Sequence, residues 1–271
     1  MRTLAVLFAT SVFSGCSSIT MAEPRMLVSP YLALYQIRGQ VALDSPVAGG
    51  PPQANPPQDL RLFGQDHHRE DVGIRTDIGD GFGGLRVDYY KLDQGSADPG
   101  VLEANWGNLL QGDVVVMDVV MDEVRVGYLE PLFEVKQDWR EHPLSLRFAA
   151  GGVLAYRDMT LRAKTDDGQR HQNVNIEGDV IYPAARFRAS WRDVGFDAEY
   201  AVSPNFVIRG DFEGLQQDLE LRATYTIPMR DVTFYAGYRY SDIRAESDAG
   251  GLAFDADLVI DGFNFGVVVT F

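Results

Sequence analysis

Apolar and polar residues alternate along most of this chain, and the alternation continues to its last residue. Other alternating segments are 85–89, 144–148, 219–227 and 232–240. Successive side chains of a β-strand point to opposite faces, so each segment has one apolar and one polar face. No apolar stripe with the helical period of about 3.6 residues is sustained, so the chain is predicted to be all-β. The final segment places these apolar residues at every second position: Phe263, Phe265, Val267, Val269 and Phe271.

Turn signals divide the chain into about ten strands, within a range of about eight to twelve. The short connections are residues 79–81, 139–143, 192–194 and 228–230. The longer or more polar connections are residues 43–59, 93–113, 165–170, 210–216 and 248–252. Short and long connections alternate strictly, so the short turns should lie at one end of the sheet together with both termini. The pattern gives no sign of a second domain.

Alternation alone does not say which face meets solvent. A soluble ligand-binding barrel keeps its apolar face inside, whereas a membrane barrel turns it outward. The polar face here is rich in arginine and small residues, which suit a narrow lumen better than a soluble exterior. The apolar face carries aromatic residues near strand ends, as interfacial girdles do. These girdle candidates are Tyr89, Tyr128, Trp191, Tyr200, Tyr238 and Tyr240. Both observations favour the membrane barrel.

Two segments do not fit this assignment cleanly. Asp118 and Asp122 share the predicted lipid-facing side of the segment that contains Val124 and Val126. Either residues 114–120 extend beyond the bilayer, or a β-bulge switches the faces. The first strand, around Tyr31 to Val41, has an ambiguous facing.

The N-terminus is predicted to be a secretory signal, with Arg2 followed by an apolar stretch from Leu4 to Phe13. Residues 12–16, Val-Phe-Ser-Gly-Cys, resemble a bacterial lipobox, which implies lipid attachment at Cys16 and a signal peptide of residues 1–15. The alternative is ordinary cleavage after Ala22, which makes residues 1–22 the signal. Residues 16–25 would form a short linker, and residues 26–271 the barrel.

The secretory signal, the alternating strands and the terminal Phe271 together resemble bacterial outer-membrane β-barrel proteins over residues 26–271. The resemblance implies a closed antiparallel up-and-down transmembrane β-barrel in the bacterial outer membrane. It also implies contact with outer-membrane lipid and lipopolysaccharide, and recognition of the C-terminal segment by the barrel-assembly machinery. Every backbone polar group must be paired in hydrocarbon, so strands can cross a membrane only as a closed barrel.

The polar face carries nearly balanced charges. A lumen enclosed by about ten strands is close to the size that side chains can fill, so these charges should pair across it. The alternative is a narrow polar pore that the slight arginine excess would make anion-favouring. The predicted network is Arg75, Asp77, Arg86, Asp88, Glu123, Arg125, Arg147, Arg186, Arg188, Asp197, Glu199, Glu220, Arg222 and Arg239.

The remaining negative charge lies in the predicted surface loops. The net charge of −15 opposes binding to a phosphate backbone, so nucleic acid is excluded as a partner. Residues 92–113, 209–218 and 242–257 hold most of the excess acid. A solvated surface explains this, and weak binding of divalent cations that bridge to lipopolysaccharide phosphates is the alternative.

No catalytic motif is recognisable in the sequence. Gly-x-Ser-x-Gly, His-Glu-x-x-His and phosphate-loop patterns are missing, and a single cysteine excludes cysteine-ligated zinc. His67, His68 and His171 flank loops at one predicted end, near Asp66, Asp166 and Asp167, which leaves a hydrolase at the barrel rim as an alternative. We expect no cofactor and a non-enzymatic role in the envelope or at the cell surface.

Overall fold

The computed structural model describes residues 25–65, 67–139, 142–228 and 230–271. Within them, no helix is long and apolar enough to cross a membrane. One 3₁₀ turn covers Leu60–Phe63. The strands are β1 (Arg25–Leu43), β2 (Gln58–Asp59), β3 (Arg69–Gly79), β4 (Gly84–Gly95), β5 (Gly100–Val101), β6 (Val114–Trp139), β7 (His142–Thr165), β8 (His171–Trp191), β9 (Val194–Pro204), β10 (Val207–Gly210), β11 (Leu215–Thr226), β12 (Val232–Asp248) and β13 (Ala253–Thr270).

Ten of these strands close into a ring of antiparallel neighbours, in the order β1, β3, β4, β6, β7, β8, β9, β11, β12, β13 and back to β1. The short strands β2, β5 and β10 pair onto the ring at its loop end. When paired residues are followed from strand to strand around the barrel, a path that starts at Arg25 of β1 returns to β1 at Ile37. The start and end positions differ because neighbouring strands are staggered, so the barrel has a large shear. The predicted ten-stranded up-and-down barrel is confirmed.

The outer surface of the wall is apolar. Val72, Ile74, Phe234 and Phe263 all point outward and are exposed. The C-terminal residues Phe265 and Phe271 are also exposed on this face, and Val267 and Val269 are half-exposed. Their role as an assembly signal stays a prediction. A soluble barrel would bury such residues, so the soluble alternative is excluded.

The two ambiguous segments are resolved by strand length and register. β6 keeps one alternation from Val114 to Glu130, and its pairing with β4 and β7 shows no bulge there. Asp118 and Asp122 therefore both lie on the outer face, where Asp122 accepts a hydrogen bond from the Tyr89 hydroxyl. In β1, Tyr31, Ala33, Tyr35 and Ile37 point into the barrel and are buried.

The barrel interior has two layers of different chemistry. In the half near the short turns, the inward residues are mainly arginines and carboxylates. In the half near the loops they are apolar, and Val115, Met117, Val119 and Met121 are completely buried on the inner face of β6. The prediction of a polar inner face throughout was wrong for this loop-end half. Here the strands rise above the lipid, and their inner faces pack together as in a soluble protein.

Two loops cover the apolar layer, and we call them together the cap (residues 58–65 and 102–109). Leu60, Phe63 and Trp106 are completely buried, and the Phe63 and Trp106 rings meet edge to face at 5.4 Å. Gln58 joins the two loops, because its side-chain amide donates to the carbonyl oxygen of Ala104 at 2.9 Å and accepts from its backbone N–H at 3.0 Å. The cap is therefore a packed part of the fold.

The β6–β7 hairpin extends beyond the other short turns. Gly84, the first residue of β4, pairs with Leu129 of β6, and no strand of the described residues pairs with residues 130–138 on that side. A β-bulge lies between Pro131 and Phe133. The outer face of the hairpin is apolar, and the Phe133 and Phe148 rings stack with centroids 5.3 Å apart.

Candidate functional site

The charged layer of the lumen is centred on Glu123. This carboxylate is completely buried and accepts hydrogen bonds from Arg157 Nε at 2.5 Å and Arg239 Nη2 at 2.6 Å. It also pairs with Arg125. Asp218 faces the same cluster, with Oδ2 at 2.5 Å from Arg125 Nη2 and 3.2 Å from Arg239 Nη2. Arginines from β6, β7 and β12 thus meet around two carboxylates, which locks three parts of the wall together.

A second cluster lies closer to the short turns. Arg75 Nη2 bridges Asp88 at 2.8 Å and Glu220 at 2.9 Å, and so joins β3 to β4 and, across the lumen, to β11. Glu199 Oε2 accepts from Arg86 Nη1 at 2.8 Å and Arg186 Nε at 2.7 Å.

The same cluster contains two further arginine–carboxylate contacts. Arg86 Nε lies 2.7 Å from Asp77 Oδ1. Asp197 pairs with Arg188 at 2.5 Å and Arg222 at 3.5 Å. The pairs run across the barrel as well as along the wall, as expected for charges confined in a low-dielectric space.

Thirteen of the fourteen predicted lumen charges belong to these clusters. Arg147 does not, because it pairs instead with Asp80 in the turn between β3 and β4. The network contains two members that sequence reasoning missed. Asp218 was counted among the acidic loops, but β11 already begins at Leu215. Arg157 lies where the inner face of β7 changes from polar to apolar, so its neighbours Ala155 and Met159 gave no sign of a charged layer.

The β3–β4 turn closes the lumen at the short-turn end. Phe82 is completely buried and lies between Arg147 and Arg188, whose Cζ atoms are 4.5 and 5.3 Å from the ring centroid. Arg186 Nη1 donates to the carbonyl oxygen of Phe82 at 2.6 Å. Asp80 Oδ1 accepts from the N–H groups of Phe82 and Gly83 and fixes the turn. An aromatic side chain thus occupies the mouth of the barrel.

Some side chains near this mouth are more exposed to solvent than those deep in the lumen. The side chain of Arg188 is 24% exposed, that of Glu199 is 13% exposed and that of Glu123 is 0% exposed. Beyond Glu123 the interior becomes the apolar layer beneath the cap. Within the described residues, the lumen is therefore blocked in sequence by Phe82, by the charge network and by packed apolar side chains.

The loop end offers a wide surface cleft beside the cap. Its volume is about 680 Å³, and it is lined by Gln40, Pro56, Pro57, Gln58, Asp59, Arg61, Leu62, Glu103 and Ala104. Arg61 forms a two-atom contact with Asp59, through Nε at 3.0 Å and Nη2 at 2.7 Å. The pKa of the Asp59 carboxyl is lowered mainly by these hydrogen bonds from Arg61. The cleft is polar, charged and open to the exterior.

The candidate rim histidines do not converge. His67 and His68 precede β3, whereas His171 begins β8 and pairs with Lys164 of β7. Four strand-to-strand steps separate β3 from β8, which corresponds to about 19 Å along the wall. In the described part of the chain, no group of three or more His, Cys, Asp or Glu is placed to hold a metal ion. Divalent-cation binding at the acidic loops stays a prediction.

Some predicted features lie outside the described residues. These are the signal peptide, the lipidation site Cys16 and Asp66 beside His67.

Comparison with known proteins supports the class of the fold. No protein-family model and no curated protein matches the sequence. The outer-membrane protease OmpT of Escherichia coli superposes with a TM-score of 0.52 at 8% identity, over 94% of this chain and 99% of that chain.

Two further structural matches have lower scores. A FadL homologue of Pseudomonas aeruginosa gives a TM-score of 0.27 at 9% identity, over 92% of this chain and 90% of that chain. The toluene transporter TodX of Pseudomonas putida gives 0.27 at 8% identity, with the same coverages. The chain has the closed antiparallel fold of bacterial outer-membrane β-barrel proteins.

The comparison corrects one expectation from the sequence. We predicted a non-enzymatic protein because no catalytic motif was recognisable. That prediction was wrong to set enzymes aside, because the fold superposes on that of OmpT, an outer-membrane protease, so a fold of this kind does carry an enzyme. At 8% identity the similarity concerns the fold, and it assigns no residue of this chain to catalysis.

Proposed function

We propose that this protein is a sealed barrel that acts at its cell-surface end and does not carry solutes through its lumen. The observation that supports this proposal is the occluded interior. Phe82 fills the mouth, the arginine–carboxylate clusters fill the middle, and the cap lies above the apolar layer. A narrow polar pore would need a continuous water-filled path. The apolar layer opposes such a path, because hydrated ions lose solvation there without gaining partners.

Planar-bilayer recording of the refolded protein tests the sealing. We expect no stable conductance steps above background, and the same result for a variant in which only the mouth is opened, Phe82→Ala. Stable, reproducible channels in the unmodified protein would refute the proposal.

A surface role requires that the loops face the exterior. Gln169→Cys places a thiol in the exposed β7–β8 loop, and Asp193→Cys places one in the β8–β9 turn at the opposite end. A membrane-impermeant maleimide applied to intact cells should label the first variant and leave the second unlabelled. The reverse pattern would contradict the proposed orientation.

A hydrolase at the same surface end is the second candidate, and the structural similarity to the protease OmpT favours it. The wide cleft beside the cap offers room for an extended substrate, and His67, His68 and His171 are the histidines of the described residues at that end. Purified protein should be assayed against fluorogenic peptides. Activity that is lost in His67→Ala or His171→Ala but retained in His142→Ala, at the opposite end, would support this candidate. If the activity is unchanged in all three variants, these histidines are rejected as catalytic residues.

Lipid attachment at Cys16 is part of the same proposal and rests on the lipobox-like sequence alone. Mass spectrometry of the mature N-terminus distinguishes a lipidated Cys16 from a chain that begins at Glu23. A spanning barrel already holds the protein in the membrane, so Cys16→Ser should change sorting more than retention. Release of the variant into the periplasm would contradict this.

A further inference from the structure

The charge network of the lumen is not neutral. It contains eight arginines and seven carboxylates, which leaves one positive charge in excess. Arg147 and Asp80 neutralise each other outside it, and the Asp71 carboxylate nearer the loops interacts with the charge of Arg69 and accepts from the N–H of Asp93. An uncompensated charge in a buried layer is destabilising, so a counter-charge would stabilise the fold.

The excess is located in the Glu123 cluster. Three arginines, Arg125, Arg157 and Arg239, share the two carboxylates Glu123 and Asp218. In the neighbouring cluster, the five arginines are matched by five carboxylates.

A small cavity lies where the two clusters meet. Its volume is about 20 Å³, which is room for one water-sized species. Four arginines and three carboxylates line it, together with Gly84, Gly127, Leu129 and Val153. The arginines are Arg75, Arg86, Arg125 and Arg186, and the carboxylates are Asp88, Glu199 and Glu220.

One donor at this cavity has no partner. Arg75 is 4% exposed, and its Nη1 atom makes no hydrogen bond within the described residues, although Nη2 of the same guanidinium is fully used. The side chain cannot turn Nη1 toward a carboxylate without giving up the Asp88 and Glu220 contacts of Nη2. The free N–H of a guanidinium is a strong donor to an anion.

We infer that this cavity binds one small monovalent anion, chloride under envelope conditions. The anion accepts from Arg75 Nη1, and its charge cancels the excess of the network through the adjacent Arg125. Asp88, Glu199 and Glu220 are already saturated by arginines, so they restrict the site to a single negative charge and exclude divalent anions.

Halide substitution in crystals gives the direct test. Protein crystallised with bromide in place of chloride should show an anomalous peak in the cavity, within hydrogen-bonding distance of Arg75 Nη1. A cavity that holds only ordered water, with no anomalous signal, would overturn the inference.

Stability measurements test the charge argument independently. Thermal unfolding in detergent is compared between chloride and gluconate at equal ionic strength. A hundredfold excess of chloride over its Kd should shift the folding equilibrium about 100-fold, which raises the midpoint by roughly 5–10 °C. Equal midpoints in the two salts would count against a bound anion.

A built-in carboxylate provides the matched variant pair. Val153 lines the cavity and is 8% exposed, and aspartate and asparagine are close to valine in size. Val153→Asp should abolish both the bromide peak and the chloride dependence, because its own charge replaces the anion. Val153→Asn should retain both. Bromide binding that persists in Val153→Asp would refute the site. If either variant fails to fold, the anomalous signal in crystals of the unmodified protein decides whether the cavity binds an anion.

Discussion

Glu123→Gln is the substitution that tests most directly how the lumen network stabilises the barrel. The change preserves the shape of the side chain and removes the charge that faces Arg125, Arg157 and Arg239. Removing one partner from a buried ion pair costs about 3–5 kcal/mol, because the remaining charge is left desolvated. Glu123 is completely buried and serves three arginines, so we expect at least that range.

Urea unfolding of the refolded protein in vesicles, followed by tryptophan fluorescence, measures this loss. With a urea dependence of about 3 kcal/mol per molar, the midpoint should fall by about 1–2 M. Asp118→Asn is the matched control on the exposed outer face of the same strand, and it should stay within about 0.5 kcal/mol of the parent.

A second substitution separates charge imbalance from general damage. Arg157→Met removes one of the three arginines, so the double variant Glu123→Gln/Arg157→Met should be less destabilised than the sum of its single variants. A loss below about 0.5 kcal/mol for Glu123→Gln, or strict additivity with Arg157→Met, would refute the reasoning.

Three further outcomes follow from the mouth and the cap. Phe82→Ala removes a buried ring and should cost about 3–5 kcal/mol in free energy of unfolding by urea titration; a neutral result would show that the ring does not close the mouth. Burial raises the pKa of Asp80, but hydrogen bonds from Arg147 and two backbone N–H groups outweigh it and lower that pKa overall. The stability from Asp80 is therefore present above its unfolded pKa of about 3.9 and lost as pH falls through the lowered value. The urea midpoint should fall less between pH 7 and pH 3 in Asp80→Asn than in the parent, and equal falls would contradict this. Trp106→Ala should loosen the cap, so limited proteolysis near residues 58–65 should increase while heat-modifiable gel mobility is retained; unchanged cleavage would argue against the packed cap.

The membrane-facing surface could be predicted because lipid and lumen impose opposite chemistry on alternate residues. Phe263 and Phe265 alternate with Asn264, and such a pattern identifies the outer face without any tertiary information. The assignment of Arg75, Arg86 and Arg239 to the lumen followed from the same alternation.

The loop-end interior could not be predicted in this way. From Val114 to Val120 both faces of β6 carry apolar residues, so alternation no longer distinguishes inside from outside. Phe82 was hidden for another reason: turn signals at Gly79, Asp80 and Gly81 indicate a reversal of the chain but not the direction in which the next side chain points. The histidines near the loops suggested a hydrolase only as an alternative, because no recognisable catalytic motif accompanied them.

The end of β6 that extends beyond the other short turns bears on how the protein avoids aggregation. The backbone groups of residues 130–138, which no strand of the described residues pairs on that side, form a template onto which an extended chain could add. The sequence here contains several features that oppose such addition. Pro131 lacks an N–H, and the β-bulge before Phe133 bends the strand. Charged residues also lie along this segment: Glu134, Lys136 and Asp138. Replacing these residues with valine would make the protruding strand segment a nucleation site for aggregation.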